Sequence, residues 1–431
     1  MKMKSAYISK DFYINNRKKL IGMLKPNSLV IINSNDEMPR NGDQNFMFRQ
    51  NSDLLYLSGI DQEKTVLTLC PDHPNPKYRE ILFLLKTNKE LEIWQGHKYT
   101  IEEASKISGI ETIFWLDKFE SILNDLILNS DFIYLNYNEN PRYSNDVLYR
   151  DLRFANELIK KYPLHNYERI APLITSMRVI KTSEEIELIK TGCNIVKKTF
   201  FRLLKFIKPE IYEYEIEAEI AHEFILNKAK SSSFYPIVAS GKNACILHYI
   251  ENNNKCNDGD LVLIDFGPEY GYYAADCTRT VPVNGKFTKR QRELYISVLD
   301  TMKYAKSLLK PGITINQYHK KVVEFVEKEH IKLGLYSVND LKNQNPDEPM
   351  FFKYYMHGTS HFIGMDVHDV GSKDQILEPG MVVSCEPGIY IQEEGIGIRL
   401  ENDILITENG NIDLMAEIPI EPDEIEGLMK K

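Results

Sequence analysis

Four acidic residues, each set on or beside an aliphatic stretch, define the chemistry this chain could perform. Asp265 closes the run Leu261-Val262-Leu263-Ile264-Asp265, and Asp276 follows after ten intervening residues. A carboxylate at the end of so apolar a strand is costly unless something neutralises it. A turn at Tyr270-Gly271 would set Asp265 directly opposite Asp276 across a hairpin. Two facing carboxylates then need a shared proton, a basic partner or a cation between them. A slipped register would instead leave both as solvated turn residues, the commoner fate of an isolated pair.

The segment Met381-Val382-Val383-Ser384-Cys385-Glu386-Pro387-Gly388 supplies context, because it is again aliphatic and carries one acid. Gly397-Ile398-Arg399-Leu400-Glu401 alternates as a strand, with Arg399 and Glu401 on one face. A turn centred on Glu393-Glu394 brings Glu386 opposite Glu401, although Pro387-Gly388 interrupts regular pairing there. Between the two acidic pairs, His357, His361 and His368 fall within twelve residues, out of 10 histidines in the chain. A lone histidine is usually structural; three beside convergent carboxylates read as ligands and proton carriers.

Four carboxylates and an imidazole form a hard, oxygen-rich donor set that suits Mn²⁺, Fe²⁺ or Co²⁺ better than a thiolate zinc site. Four negative charges balance two divalent ions. Two metals about 3.5–4 Å apart can share a hydroxide and polarise a carbonyl, so metal-assisted amide hydrolysis is the reaction class. Cys277 and Cys385 neighbour these acids, but adjacent strand side chains point to opposite faces, which makes both packing residues.

The elements that must position these groups follow from the rest of the chain. Its 431 residues predict two or three domains and a sizeable core. A formal net charge of -9 disfavours general attraction to nucleic acid or anionic membrane. No apolar run approaches the roughly 20 residues needed to span a bilayer. The start, Met1-Lys2-Met3-Lys4-Ser5-Ala6-Tyr7, lacks the apolar stretch of a signal peptide, so a cytoplasmic protein is expected. Six scattered cysteines without a CxxC pair fit a reducing compartment.

Residues 1–172 read as an α/β domain, with strands at Ser28–Asn33, Thr65–Cys70, Glu80–Leu85 and Phe132–Asn136. Beyond Pro172, residues 173–431 form a second, α+β domain. Thr182-Ser183-Glu184-Glu185 is a capping box opening a long amphipathic helix, and another helix begins near Glu213. The grammar recurs: Thr288-Lys289-Arg290-Gln291 opens a helix, a second runs from about Thr314 to Lys332, and strands follow. This is a weak internal duplication of helix, helix and strands, with extra loop around Ser337–Pro349.

These residues are recognisable together. Asp265-Phe266-Gly267, Asp276-Cys277-Thr278-Arg279-Thr280, His357-Gly358-Thr359-Ser360-His361, Ser384-Cys385-Glu386-Pro387-Gly388 and Gly397-Ile398-Arg399-Leu400-Glu401 resemble the pita-bread dinuclear metallopeptidases. Within them the resemblance is to the aminopeptidase P group, and Arg49-Gln50-Asn51-Ser52-Asp53 and Glu92-Ile93-Trp94 look like its amino-terminal domain. The resemblance implies a pita-bread catalytic domain with a pseudo-twofold duplication, and release of the first residue from peptides with proline second. It implies two divalent ions, Mn²⁺ foremost with Co²⁺, Fe²⁺ or Zn²⁺ as alternatives.

By that similarity Asp276 and Glu401 bridge the metals, Asp265 holds one ion, and His361 and Glu386 complete the other. Glu386 handles the proton of an attacking bridging hydroxide, while His368 helps hold substrate and stabilises the oxyanion. His248 and His357 match the pair lining the proline pocket. Arg399 either orients Glu401, contacts substrate, or is a plain salt-bridge partner. Trp94 resembles a residue lent to a neighbouring subunit's active site, implying a homodimer or homotetramer; the alternative is a buried core tryptophan. Departures from the group's pattern are Cys277, Cys385, and Ala171 where an arginine is common.

Three other readings compete. A prolidase shares fold and ligands but recognises the free carboxylate of an Xaa-Pro dipeptide. An inactive pita-bread binding protein would have lost ligands, and here all five positions are occupied. A metal-free creatinase-like amidinohydrolase is disfavoured, because clustered carboxylates without cations repel.

Overall fold

The computed structural model describes residues 8–142 and 146–430. The start Met1–Tyr7 therefore lies outside the described residues. The chain divides into two compact units, one covering Ile8–Met177 and the other running from Arg178 to the carboxyl end.

The first unit is built on a six-stranded sheet. Its order is Thr112–Trp115, Glu80–Leu84, Val66–Leu69, Ser28–Asn33, Phe132–Leu135 and Asn166–Arg169. Val66–Leu69 runs antiparallel to both its neighbours, while the outer pairings are parallel. All six residues of the central strand Ser28–Asn33 are buried, as expected of a strand covered on both faces. Leu29, Ile31, Ile81 and Phe83 pack with Leu123, Leu126 and Leu158 from the Phe119–Leu128 and Arg150–Lys161 helices.

In the second unit the order helix, helix, sheet occurs twice. The Ser183–Phe206 and Glu213–Leu226 helices precede the sheet Ile237–Ser240, Leu261–Phe266 and Cys277–Pro282. The Lys289–Leu308 and Ile315–Lys332 helices precede the sheet Val382–Cys385, Asn402–Thr407 and Gly410–Asp413. Capping boxes open three of these helices, pairing Thr182 with Glu185, Thr288 with Gln291 and Thr314 with Gln317. The expected insertion around Ser337–Pro349 holds a short helix, Val338–Lys342.

Both acid-bearing strand pairs form, but only one in the expected register. Glu386 and Glu401 occupy facing positions, because Cys385 pairs with Asn402 and Gly388 with Arg399 on either side of the break at Pro387. Asp265 faces Thr278, not Asp276. The correction comes from the turn: Gly271 and Tyr272 both take positive φ, 58° and 68°, so the two-residue loop is Gly271-Tyr272. A type I′ hairpin turn needs positive φ at both central residues, and here a tyrosine accepts it at the second. Opposite Asp276 stands Gly267, where a Cβ would come within 1.7 Å of the Ala275 carbonyl oxygen. Glycine lets the strands close at that point.

The two halves are stitched to each other at the acids. Glu401 N donates to the Thr278 carbonyl at 3.1 Å, and Arg279 Nη1 donates to the Glu401 carbonyl at 2.8 Å. Arg399 N donates to Thr280 Oγ1 at 3.2 Å. All six cysteines are buried free thiols. Among the described residues no helix is long and apolar enough to cross a membrane.

Candidate metal centre

His361 lies at the middle of the acids. Its Nδ1 is 3.1 Å from the Phe362 carbonyl oxygen, a contact that requires the proton on Nδ1 and leaves the Nε2 lone pair free. That Nε2 is 3.5 Å from Asp276 Oδ2, 3.6 Å from Glu386 Oε1 and 3.9 Å from Glu401 Oε1. One ligand atom from each of Asp276, His361 and Glu401 falls within 4.8 Å of the others.

The carboxylates have fewer donors than their burial demands. Asp265 Oδ1, Asp276 Oδ1 and Glu401 Oε1 are buried without a hydrogen-bond partner. Burial, then the charge of Asp265, pushes the Asp276 carboxyl well above the usual range. Burial, then the charge of Asp276, does the same to Glu401, and burial also raises Glu386. Lone pairs converging on one space without protons to meet them are what divalent cations satisfy, so these residues fit a metal centre.

Residues 187–408 match metallopeptidase family M24. The chain belongs to metallopeptidase family M24. Residues 13–134 match the aminopeptidase P N-terminal domain. The Xaa-Pro aminopeptidase of Escherichia coli is 36% identical over 98% of both chains, and human Xaa-Pro aminopeptidase 3 is 28% identical over 95% of this chain and 82% of its own. Among solved structures, a zinc-substituted Escherichia coli aminopeptidase P in complex with product superposes with a TM-score of 0.88 at 35% identity, covering 98% of this chain and 99% of that one. Pseudomonas aeruginosa aminopeptidase PepP superposes with a TM-score of 0.89 at 32% identity, covering 98% of each. The architecture is thus an amino-terminal domain followed by an M24 pita-bread catalytic domain.

In this M24 unit a buried polar frame holds the acids. Arg399 Nη2 donates to Asp265 Oδ2 at 2.7 Å, its Nη1 to the Tyr390 hydroxyl at 2.9 Å and its Nε to Thr278 Oγ1 at 3.1 Å. The Thr278 hydroxyl in turn donates to Glu401 Oε2 at 2.7 Å. Arg399 therefore reaches Glu401 through a threonine and Asp265 directly. Ser384 Oγ accepts from His361 N at 3.0 Å and donates to Glu386 Oε1 at 3.3 Å. Asp403 Oδ2 accepts from Asp276 N at 3.2 Å. Such outer partners orient ligands and tune the metal.

The remaining predicted residues divide by location. His368 packs edge-on against His361, ring centroids 4.4 Å apart. His357 Nδ1 faces the Gly358 carbonyl at 2.8 Å, so its Nε2 accepts from the Tyr390 hydroxyl at 2.8 Å. Burial, then the Arg399 charge, pushes His357 down to about 3, so its ring is neutral. His248 is exposed. Trp94 is 87% exposed on the first unit's Lys89–Gln95 helix, which excludes a core tryptophan.

Sequence reasoning passed over Thr278, Ser384, Tyr390 and Asp403. Thr278 and Ser384 each lie two residues from a proposed ligand, a same-face spacing on a strand that could have drawn attention to both. Tyr390 carried no such signal, since its partners Arg399 and His357 come from separate segments.

Proposed function

We propose that this chain is an Xaa-Pro aminopeptidase, a metal-dependent exopeptidase releasing the first residue from peptides with proline second. The observation that carries the reading is the convergence of Asp276, His361, Glu386 and Glu401 around one buried space, on a chain aligned end to end with Xaa-Pro aminopeptidases. The scissile amide nitrogen before proline is tertiary and has no hydrogen, so the enzyme must recognise the ring rather than a backbone donor.

In this reading Asp265, Asp276, His361, Glu386 and Glu401 hold two divalent ions, Mn²⁺ being the match to an oxygen-rich donor set. When bound, these ions polarise the substrate carbonyl and acidify a water. Glu386 would take up the water's proton and return it to the leaving nitrogen, the general acid–base role open to a carboxylate at that place. His368, beside His361, donates to the oxyanion. His248 and His357 line the proline pocket. Arg399, buried with its donors on protein acceptors, acts on substrate by holding Asp265 and, through Thr278, Glu401.

Exposed Ile93 and Trp94 are suited to a contact between copies, and the enzyme works as a homodimer or homotetramer with Trp94 at a neighbour's active-site mouth. Six free thiols suit the reducing cytoplasm.

The deciding experiment incubates manganese-loaded protein with Xaa-Pro-Xaa and Xaa-Pro peptides. Release of the first residue from the longer peptides supports the assignment. Cleavage of dipeptides alone makes the protein a prolidase. No release from any proline peptide, with stoichiometric metal bound, favours a binding protein.

A further inference from the structure

Glu213 is fully buried in the first turn of the Glu213–Leu226 helix, and no cation pairs with it among the described residues. Five donors converge on its carboxylate instead. Oε1 accepts from Ser240 N at 2.7 Å, Ser240 Oγ at 2.7 Å and Asn243 Nδ2 at 3.2 Å. Oε2 accepts from the Tyr249 hydroxyl at 2.8 Å and from Asn254 N at 2.9 Å. A buried unpaired carboxylate is tolerable when hydrogen-bonded this fully.

All five donors belong to the stretch Ser240–Asn254, and they flank His248: Ser240 and Asn243 before it, Tyr249 and Asn254 after it. One helical turn along, Glu217 Oε2 accepts from Asn252 Nδ2 at 2.9 Å, and that amide's Oδ1 accepts from Val238 N at 2.9 Å. The helix therefore grips both ends of the loop from beneath while Ile246, His248 and Ile250 stay exposed on top. Leu247 and Tyr249, the residues on either side of His248, pack in one cluster with Tyr390, the hydrogen-bond partner of His357, and with Met356.

We propose that Glu213 is a positioning residue for His248: it clamps the Ser240–Asn254 loop so that the exposed imidazole is held where the substrate proline binds. The proposal rests on the reading of His248 as a proline-pocket residue. A carboxylate is required because the five groups around it act as donors and two of them are backbone N–H groups. Glutamine replaces one acceptor oxygen with two N–H donors, so either Ser240 N or Asn254 N loses its partner.

The test is a double-mutant cycle on the metal-loaded enzyme with an Xaa-Pro-Xaa substrate, combining Glu213→Gln and His248→Ala. Glu213→Gln is expected to raise KM about tenfold with kcat changed less than about threefold and metal content unchanged. In the His248→Ala background the same substitution is expected to change KM by less than about twofold. Tyr249→Phe, which removes one donor and keeps the carboxylate, is expected to shift KM the same way by about threefold and to lose its effect in that background; it carries the test if the glutamine variant does not fold. A Glu213→Gln effect of undiminished size without His248, or a joint fall in kcat and metal content, would overturn the proposal. If His248→Ala alone leaves KM unchanged, the pocket reading itself has failed and the proposal falls with it.

Discussion

The guanidinium of Arg399 donates to Asp265 Oδ2 at 2.7 Å across two halves of the catalytic unit, with both side chains largely buried. One residue from the second half thus orients a proposed ligand from the first. Lysine at this position keeps the charge but cannot make the three separate donations Arg399 makes to Asp265, Tyr390 and Thr278. Arg399→Lys is expected to lower metal affinity roughly 10- to 100-fold, as read by titration of the metal-free protein. Unchanged affinity would mean Asp265 is held by other means.

Thr278 joins Arg399 to Glu401 through a single hydroxyl. Thr278→Val preserves shape and removes that link. It is expected to reduce kcat about tenfold or more and to cost about 1–3 kcal/mol of stability, while Thr278→Ser restores most of the rate. Turnover by the valine variant equal to the parent would show that the link is idle.

Asp276 sits among other carboxylates without its own donor on Oδ1. Chelation should therefore lower the melting temperature of the parent protein markedly, because the acids lose the cations between them. Asp276→Asn is expected to abolish turnover without unfolding the protein, and its melting temperature is expected to respond little to chelator. Normal hydrolysis by this variant would contradict the ligand assignment.

His330 is buried in the Ile315–Lys332 helix, where burial pushes its pKa down to about 4. The folded state binds fewer protons than the unfolded chain, so its contribution is fully present above about pH 6.5 and is lost as pH falls through 4. The loss by pH 4 amounts to about 3 kcal/mol. His330→Gln, which does not titrate, is expected to flatten denaturant midpoints between pH 7 and pH 4. An identical acid limb in parent and variant would assign that limb to other groups.

Trp94 is almost fully exposed, so its removal leaves the fold of its own unit unharmed. Trp94→Ala is expected to keep the melting temperature within about 1–2 °C while raising KM for longer peptides or reducing the mass seen by light scattering. Neither change would mean that this side chain serves no neighbouring site.

Much of this protein was written in local pattern. The central strand Ser28–Asn33, the capping box at Thr182, the helix starts near Thr288 and Thr314, and the facing of Glu386 with Glu401 all follow from periodicity, cap chemistry and turn spacing, which act over a few residues. The register of Asp265 did not, because the turn used Tyr272 at positive φ, a choice that side-chain preference argues against and the strand pairing imposes. The residue types for a metal centre were legible; their meeting was not. Asp276 and Glu401 come together because Glu401 N bonds the Thr278 carbonyl and Arg279 the Glu401 carbonyl, links between strands more than a hundred residues apart. The same holds for Tyr390 and for Glu213, whose partners are assembled only once helices and sheets pack. Local sequence chose the groups and the elements that carry them, and only long-range packing, by burying those groups without water, decided which carboxylates need cations and which need donors.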